Sequence, residues 1–147
     1  MFNIRVYGLM VAPIDGINSI LVSDECRNGF SFTKFPGGGL EFGEGIADAL
    51  IREFIEELNV DITIGDLYYV NPHFQISAFN EKEQIISFYY FVSIQSEQIF
   101  KANHTKPHPI PNGESPRWIA LSDLKASDFT FPIDKMVAEK LANTFNQ

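Results

Sequence analysis

Three consecutive glycines, Gly37 to Gly39, run within a few residues into a segment whose apolar and acidic side chains separate at the period of an α-helix. Over Ile46 to Leu58, at ~100° per residue, Ala47, Leu50, Ile51, Phe54, Ile55 and Leu58 fall in one arc of about 140°. That arc is the expected core-facing stripe. Glu53, Glu56 and Glu57 fall in another arc of about 100°, with Arg52 at its edge. Ala49 lies among these acids one turn before Glu53, which reads as space for something to approach. Such a helix carries a penalty. Glu53 and Glu57 repel one another four residues apart, and acids in the last turns face the negative end of the helix dipole. Two readings follow. The acidic arc is a solvated face, or a divalent cation sits on it, since hard cations take carboxylate oxygens and share them with phosphates. The glycines bear on that choice, because backbone without side chains can approach a metal or phosphate closely. No Gly-Lys-Ser/Thr follows them, so they do not form a P-loop.

The rest of the chain reads as one domain spanning residues 1–147, with no repeat and no linker long enough to divide it. Strands are expected over Asn3 to Val11, Asn18 to Ser23, Phe30 to Phe35, Ile62 to Phe74, Gln84 to Ile94 and Trp118 to Leu121. Pro13 to Gly16 reads as a turn, Lys101 to Pro116 as a proline-rich loop, and Ile133 to Phe145 as a final helix. Non-local strands with an embedded helix point to an α+β fold, a mixed sheet covered by helices. Eleven Lys and Arg against nineteen Asp and Glu leave a net charge of −8, the wrong sign for a general DNA or RNA binder. Apolar runs fall far short of the ~20 residues a membrane helix needs, and no basic segment precedes an apolar stretch at the N-terminus. A single cysteine, Cys26, favours a reducing, cytoplasmic compartment.

The run Gly38-Gly39-Leu40-Glu41-Phe42-Gly43-Glu44, then seven residues to Arg52-Glu53-Phe54-Ile55-Glu56-Glu57-Leu58-Asn59-Val60, resembles the Nudix box. Gly38, Glu44, Arg52, Glu53, Glu56, Glu57 and Val60 match that pattern in register, and Phe35-Pro36-Gly37 resembles the residues that usually precede it. Two positions depart. Phe54 stands where an aliphatic residue is commoner, and Asn59 replaces the closing glycine, at a place where a left-handed residue is wanted. Outside the box, which covers about a sixth of the chain, the likeness is one of outline.

The resemblance implies a Nudix-like α/β/α sandwich and a hydrolase of a nucleoside diphosphate linked to another moiety: a nucleoside triphosphate, ADP-ribose or a dinucleoside polyphosphate. By the same resemblance Glu53, Glu56, Glu57 and the Gly37 carbonyl would hold Mg²⁺, with Mn²⁺ as a substitute. Arg52 would orient Glu53, and Glu44 would support the loop–helix geometry. Glu114 would supply a further carboxylate, with exposure as an ordinary loop acid its alternative and Glu97 a weaker competitor. Glu53 or Glu114 would take the proton from the attacking water. Gly38, Gly39, Lys34, Arg27 and Arg5 are candidate substrate contacts, the three cations also reading as surface charges. Phe35, Phe74 and Tyr89 could stack on a base, though aromatics in strand patterns are usually core. His73, His104 and His108 show no metal-ligand spacing. The partner is a small phosphorylated molecule, and the aromatic excess leaves room for a homodimer. The competing reading is a non-catalytic nucleotide sensor. Degenerate sensors would lose box glutamates, and this chain keeps them all. An RNA-cap hydrolase would be expected to carry a basic patch that the charge balance does not favour.

Overall fold

Asp15-Gly16 and Asn28-Gly29 take positive φ at both central residues, 51° and 79°, then 51° and 80°. Those angles define the tight hairpin turn that Asp-Gly and Asn-Gly favour. In the computed structural model, which describes residues 1–94 and 113–146, these turns separate β1 (Phe2–Ile14), β2 (Ile17–Arg27) and β3 (Phe30–Lys34). The first turn is narrower than the sequence predicts. Pro13 and Ile14 belong to β1, with Pro13 opposite Asn18 at the strand end, where a missing N–H is tolerated. The remaining elements are β4 (Gly37–Gly39), α1 (Ile46–Leu58), β5 (Ile62–Val70), β6 (Gln84–Ile94), β7 (Glu114–Ala120) and α2 (Pro132–Phe145). The bounds of α1 and β6 are those expected from periodicity. Among the described residues no helix is long and apolar enough to cross a membrane.

Contacts divide the chain into two units, Met1–Leu9 with Pro36–Ile99 and Met10–Phe35 with Phe100–Gln147. In the first unit the glycine run is itself a strand. β4 pairs antiparallel with β1, Arg5 opposite Gly39 and Tyr7 opposite Gly37. Gly37 has φ +146°, and a Cβ there would strike the Val6 carbonyl and come 2.8 Å from Tyr7 Cα, so the pairing requires glycine. β6 neighbours β1, and its Gln84 N–H donates to the Met1 carbonyl (2.8 Å) where both strands begin. The two therefore run the same way, and with β5 antiparallel to β6 the sheet is mixed. β5 stops at Val70, short of the expected Phe74. There the buried Asn71 side chain donates to the His73 and Ile85 carbonyls (3.1 and 3.2 Å) and accepts the Ser87 N–H (2.8 Å), taking over bonds a ladder would make.

Two local features hold α1 in this unit. Asn59 closes the helix in the left-handed region (φ 54°, ψ 44°) and its N–H reaches the Ile55 carbonyl at 2.9 Å, as its place in the sequence requires. Phe54 is fully buried because β1 has no side chain at Gly8, where a Cβ would stand 2.5 Å from the phenyl ring. The unusual aromatic and this glycine are therefore one packing solution.

In the second unit β2 is the central strand, antiparallel to β3, to β7 and to the tail of β1. β7 begins four residues before the expected Trp118. Glu114 to Pro116, expected in a loop, pair with Ser23 to Glu25, while residues 101–112 of that loop lie outside the described residues. α2 opens on Pro132, where a fixed φ suits a first helical position, and buries Ile133, Val137, Ala138 and Leu141. Phe35 stacks on Phe129 with ring centroids 4.4 Å apart.

Candidate active site

The centre of the site is one guanidinium. Arg52 on α1 grips Glu44 with two parallel bonds, Nε to Oε2 at 3.0 Å and Nη2 to Oε1 at 2.7 Å, the strong bidentate arrangement. Nη1 donates to Glu53 Oε1 (3.1 Å) and Glu56 Oε2 (3.2 Å), and Nη2 also donates to the Gly39 carbonyl (3.0 Å). Arg52 thus ties the turn before the helix, the glycine strand and the acidic face into one frame. Glu44 in turn accepts the Glu41 N–H at 2.8 Å. Its bonds to Arg52 and Glu41 hold the Glu44 carboxyl below its ordinary pKa, and Glu44 holds the Arg52 guanidinium still further above its own. Arg52 is therefore a fixed positive charge, and Glu41, Glu44, Glu53 and Glu56 all lie within 3.8 Å of it.

The buried stripe of α1 is displaced from the one expected. Ala49, Leu50 and Phe54 are buried, whereas Ala47 and Ile55 are exposed. Ala49 is thus a packing contact and not an opening. The rotation brings Glu53 to a half-sheltered border with its side chain 14% exposed, while Glu56 is 58% exposed. The reason is tertiary. α1 packs on β4, and glycines let the helix come close on that side. A Cβ at Gly38 would collide with the Glu53 carboxylate, so the glycine keeps a place for that carboxylate against bare backbone. Glu57 follows Glu53 by four residues, on the same side of the helix, and is partly buried. The set Glu53, Glu56 and Glu57 beside a glycine backbone is hard-oxygen in character and fits a divalent cation.

Other candidates fall elsewhere. Arg5 lies beside Gly39, its Nε donating to the Tyr7 hydroxyl at 2.6 Å. Lys34 is not a surface charge. It is buried on β3, with Nζ 2.9 Å from Glu25 Oε2. Arg27 is exposed and reaches Glu25 Oε1 at 3.4 Å. Glu114, at the exposed start of β7, faces Glu25 in register, and both line a cleft of about 250 Å³ with Cys26, Arg27 and Gly113. Of the aromatics, Phe35 and Tyr89 are core and Phe74 is exposed. Glu97, His104 and His108 lie outside the described residues. Sequence reasoning missed Glu25. Its signal was two adjacent acids, Asp24-Glu25, after the apolar run Ile20 to Val22 in a strand.

A mixed sheet carrying a glycine strand, followed by a helix whose Arg52 organises its own carboxylates, brings hard-oxygen groups beside bare backbone. The family model described as NUDIX domain matches residues 7–140, and the chain belongs to that family. Over 76 residues it is 33% identical to the mRNA-decapping protein OPG122 of Variola virus, covering 48% of this chain and 31% of that protein. The chain thus matches under a third of that relative's length. Its fold is similar to that of a MutT protein from Methanosarcina mazei Go1 (TM-score 0.67, 16% identity, 99% and 96% of the two chains). It is also similar to the NUDIX domain of Shewanella oneidensis NrtR complexed with ADP ribose (TM-score 0.60, 13% identity, 98% and 88%). These likenesses show the expected Nudix α/β/α sandwich fold.

Proposed function

We propose that this chain, acting as a single Nudix domain, hydrolyses a nucleoside diphosphate joined to another group by attack of water on a diphosphate phosphorus. The observation that carries this reading is the Arg52 frame, which holds Glu44, Glu53 and Glu56 together beside Gly39. Glu53, Glu56, Glu57 and the Gly37 carbonyl are the residues to hold Mg²⁺, or Mn²⁺ in its place, and Glu114 is the further carboxylate. The cation, when bound, neutralises the diphosphate and lowers the pKa of a bound water. Glu53, or Glu114 in its place, would take the proton from the attacking water as a phosphate-bearing group departs, and Arg52 and Glu44 would keep the Glu53 carboxylate in place. Gly38, Gly39, Arg5 and Arg27 are the proposed phosphate contacts, while Lys34 acts through Glu25. The compartment proposed is the cytoplasm, and a homodimer is compatible with the exposed aromatics.

The substrates to test are a nucleoside triphosphate, ADP-ribose, a dinucleoside polyphosphate and a capped RNA, the last because of the decapping relative. Each is incubated with Mg²⁺ and scored for release of phosphate-bearing product. Glu53→Gln and Glu57→Gln should each lose ~10²–10⁴-fold in rate while remaining folded. Turnover like that of the unmodified chain in either variant overturns the mechanism. The alternative is a non-catalytic nucleotide sensor. It wins if no member of the panel is cleaved and one binds tightly.

A further inference from the structure

Adjacent acids on β2 have unlike surroundings. Asp24 is the model of a satisfied buried carboxylate: Oδ1 accepts the Thr33 hydroxyl (2.6 Å) and Arg117 Nη2 (3.2 Å), and Oδ2 accepts Arg117 Nε (2.8 Å). Glu25 is more buried, with its side chain 3% exposed. Among the described residues its Oε1 accepts a single long bond, from Arg27 (3.4 Å). Its Oε2 is ion-paired with the Lys34 ammonium 2.9 Å away, and among the described residues no hydrogen bond reaches this buried oxygen.

Glu114 stands directly opposite on β7, with carboxylate oxygens of the two residues within 4.8 Å of one another. Like charges in opposed positions destabilise a strand pair, and a buried anion costs more still unless it is fully paired. The satisfied Asp24 next door shows that the same sheet can pair an acid completely. Glu25 and Glu114 instead line one cleft together, shared with Cys26, Arg27 and Gly113.

We propose that Glu25, a strand residue outside the Gly38–Val60 motif, is a divalent-cation ligand acting with Glu114. Lys34 balances one negative charge there and competes with the cation for Glu25 Oε2. The inference rests on the hydrolase reading for the use made of the cation, but its test does not depend on turnover.

Mn²⁺ is titrated into the full chain without nucleotide, free Mn²⁺ being read by electron paramagnetic resonance, and folding is checked by circular dichroism. Glu25→Gln should weaken Mn²⁺ binding at least ~10–100-fold, since losing a ligand costs no less than losing a group that supports one. Glu114→Gln should do the same, and the double variant should be little weaker than either, because one ion is shared. If Glu25→Gln does not fold, Glu25→Asp keeps the charge beside Lys34 while withdrawing the oxygens by one methylene, and it should still bind Mn²⁺ more weakly. Unchanged Mn²⁺ affinity in a folded Glu25 variant, with loss in Glu53→Gln, overturns the Glu25 assignment and leaves the hydrolase reading standing. No Mn²⁺ uptake by the unmodified chain overturns both.

Discussion

Replacing Gly38 by alanine adds one methyl group, and the structure says what that group meets. Built on the observed backbone it falls 2.6 Å from Glu53 Cδ and 2.8 Å from Oε2, with Oε1 nearer still. Gly38 does not have positive φ, so no backbone strain adds to the clash. Ordinary contact at about 3.5 Å requires the carboxylate to withdraw by roughly 1 Å, away from its 3.1 Å bond with Arg52. A displacement of that size in a catalytic group costs ~10²-fold in rate, or about 2.7 kcal/mol of barrier. The fold should suffer less. The yielding atoms end a flexible side chain, so the loss belongs near 1 kcal/mol, the low end of overpacking costs, and Tm should fall by ~3–5 °C. Initial rates on the compound hydrolysed with Mg²⁺, together with thermal melts, measure both. The deciding control is the same change in Glu53→Gln, where Mn²⁺ affinity replaces rates that are too slow. If Gly38 acts through Glu53, alanine should do little further harm there. An unimpaired Gly38→Ala variant, or losses that simply add, would refute the reasoning.

Acid should weaken the frame in a defined direction. Glu44 has a folded pKa held below its ordinary 4.5 by Arg52 and Glu41. Its contribution to stability is therefore complete above that value and is lost as pH falls through the lower folded one. Urea midpoints for the unmodified chain and Glu44→Gln should differ by a constant amount at neutral pH and converge as pH falls below the ordinary carboxyl value of 4.5. At the helix end, Asn59→Ala should cost ~1 kcal/mol in thermal melts, since alanine resists the left-handed conformation, and Asn59→Gly should cost nothing. A neutral Asn59→Ala would show that the cap carries no strain. Gly8→Ala should destabilise by ~1–3 kcal/mol through the Phe54 ring. Adding Phe54→Leu should recover part of that loss, and a further fall in Tm would break the proposed link between the two residues.

The acid-rich helix was legible in the sequence because its cues are local. Spacing at 3.6 residues, the left-handed requirement at Asn59 and the register of Gly38, Glu44, Arg52 and the glutamates all lie within 23 residues of chain. The strands were harder to bound where distant groups end or extend them. Asn71 stops β5 through bonds to Ile85 and Ser87, and Glu114 to Pro116 become strand only because β2 offers them partners.

By itself, then, the sequence determined that Arg52, Glu53, Glu56 and Glu57 share one helix, because helix period and side-chain type act over a few residues. Tertiary structure alone decided how those residues are exposed. β4 came to lie against α1 with Gly38 beside the Glu53 carboxylate, Gly8 made room for Phe54, and strand pairing set Glu25 opposite Glu114. Each joins positions far apart in the chain. Their contact depends on which backbones can approach closely, a property that no local periodicity records.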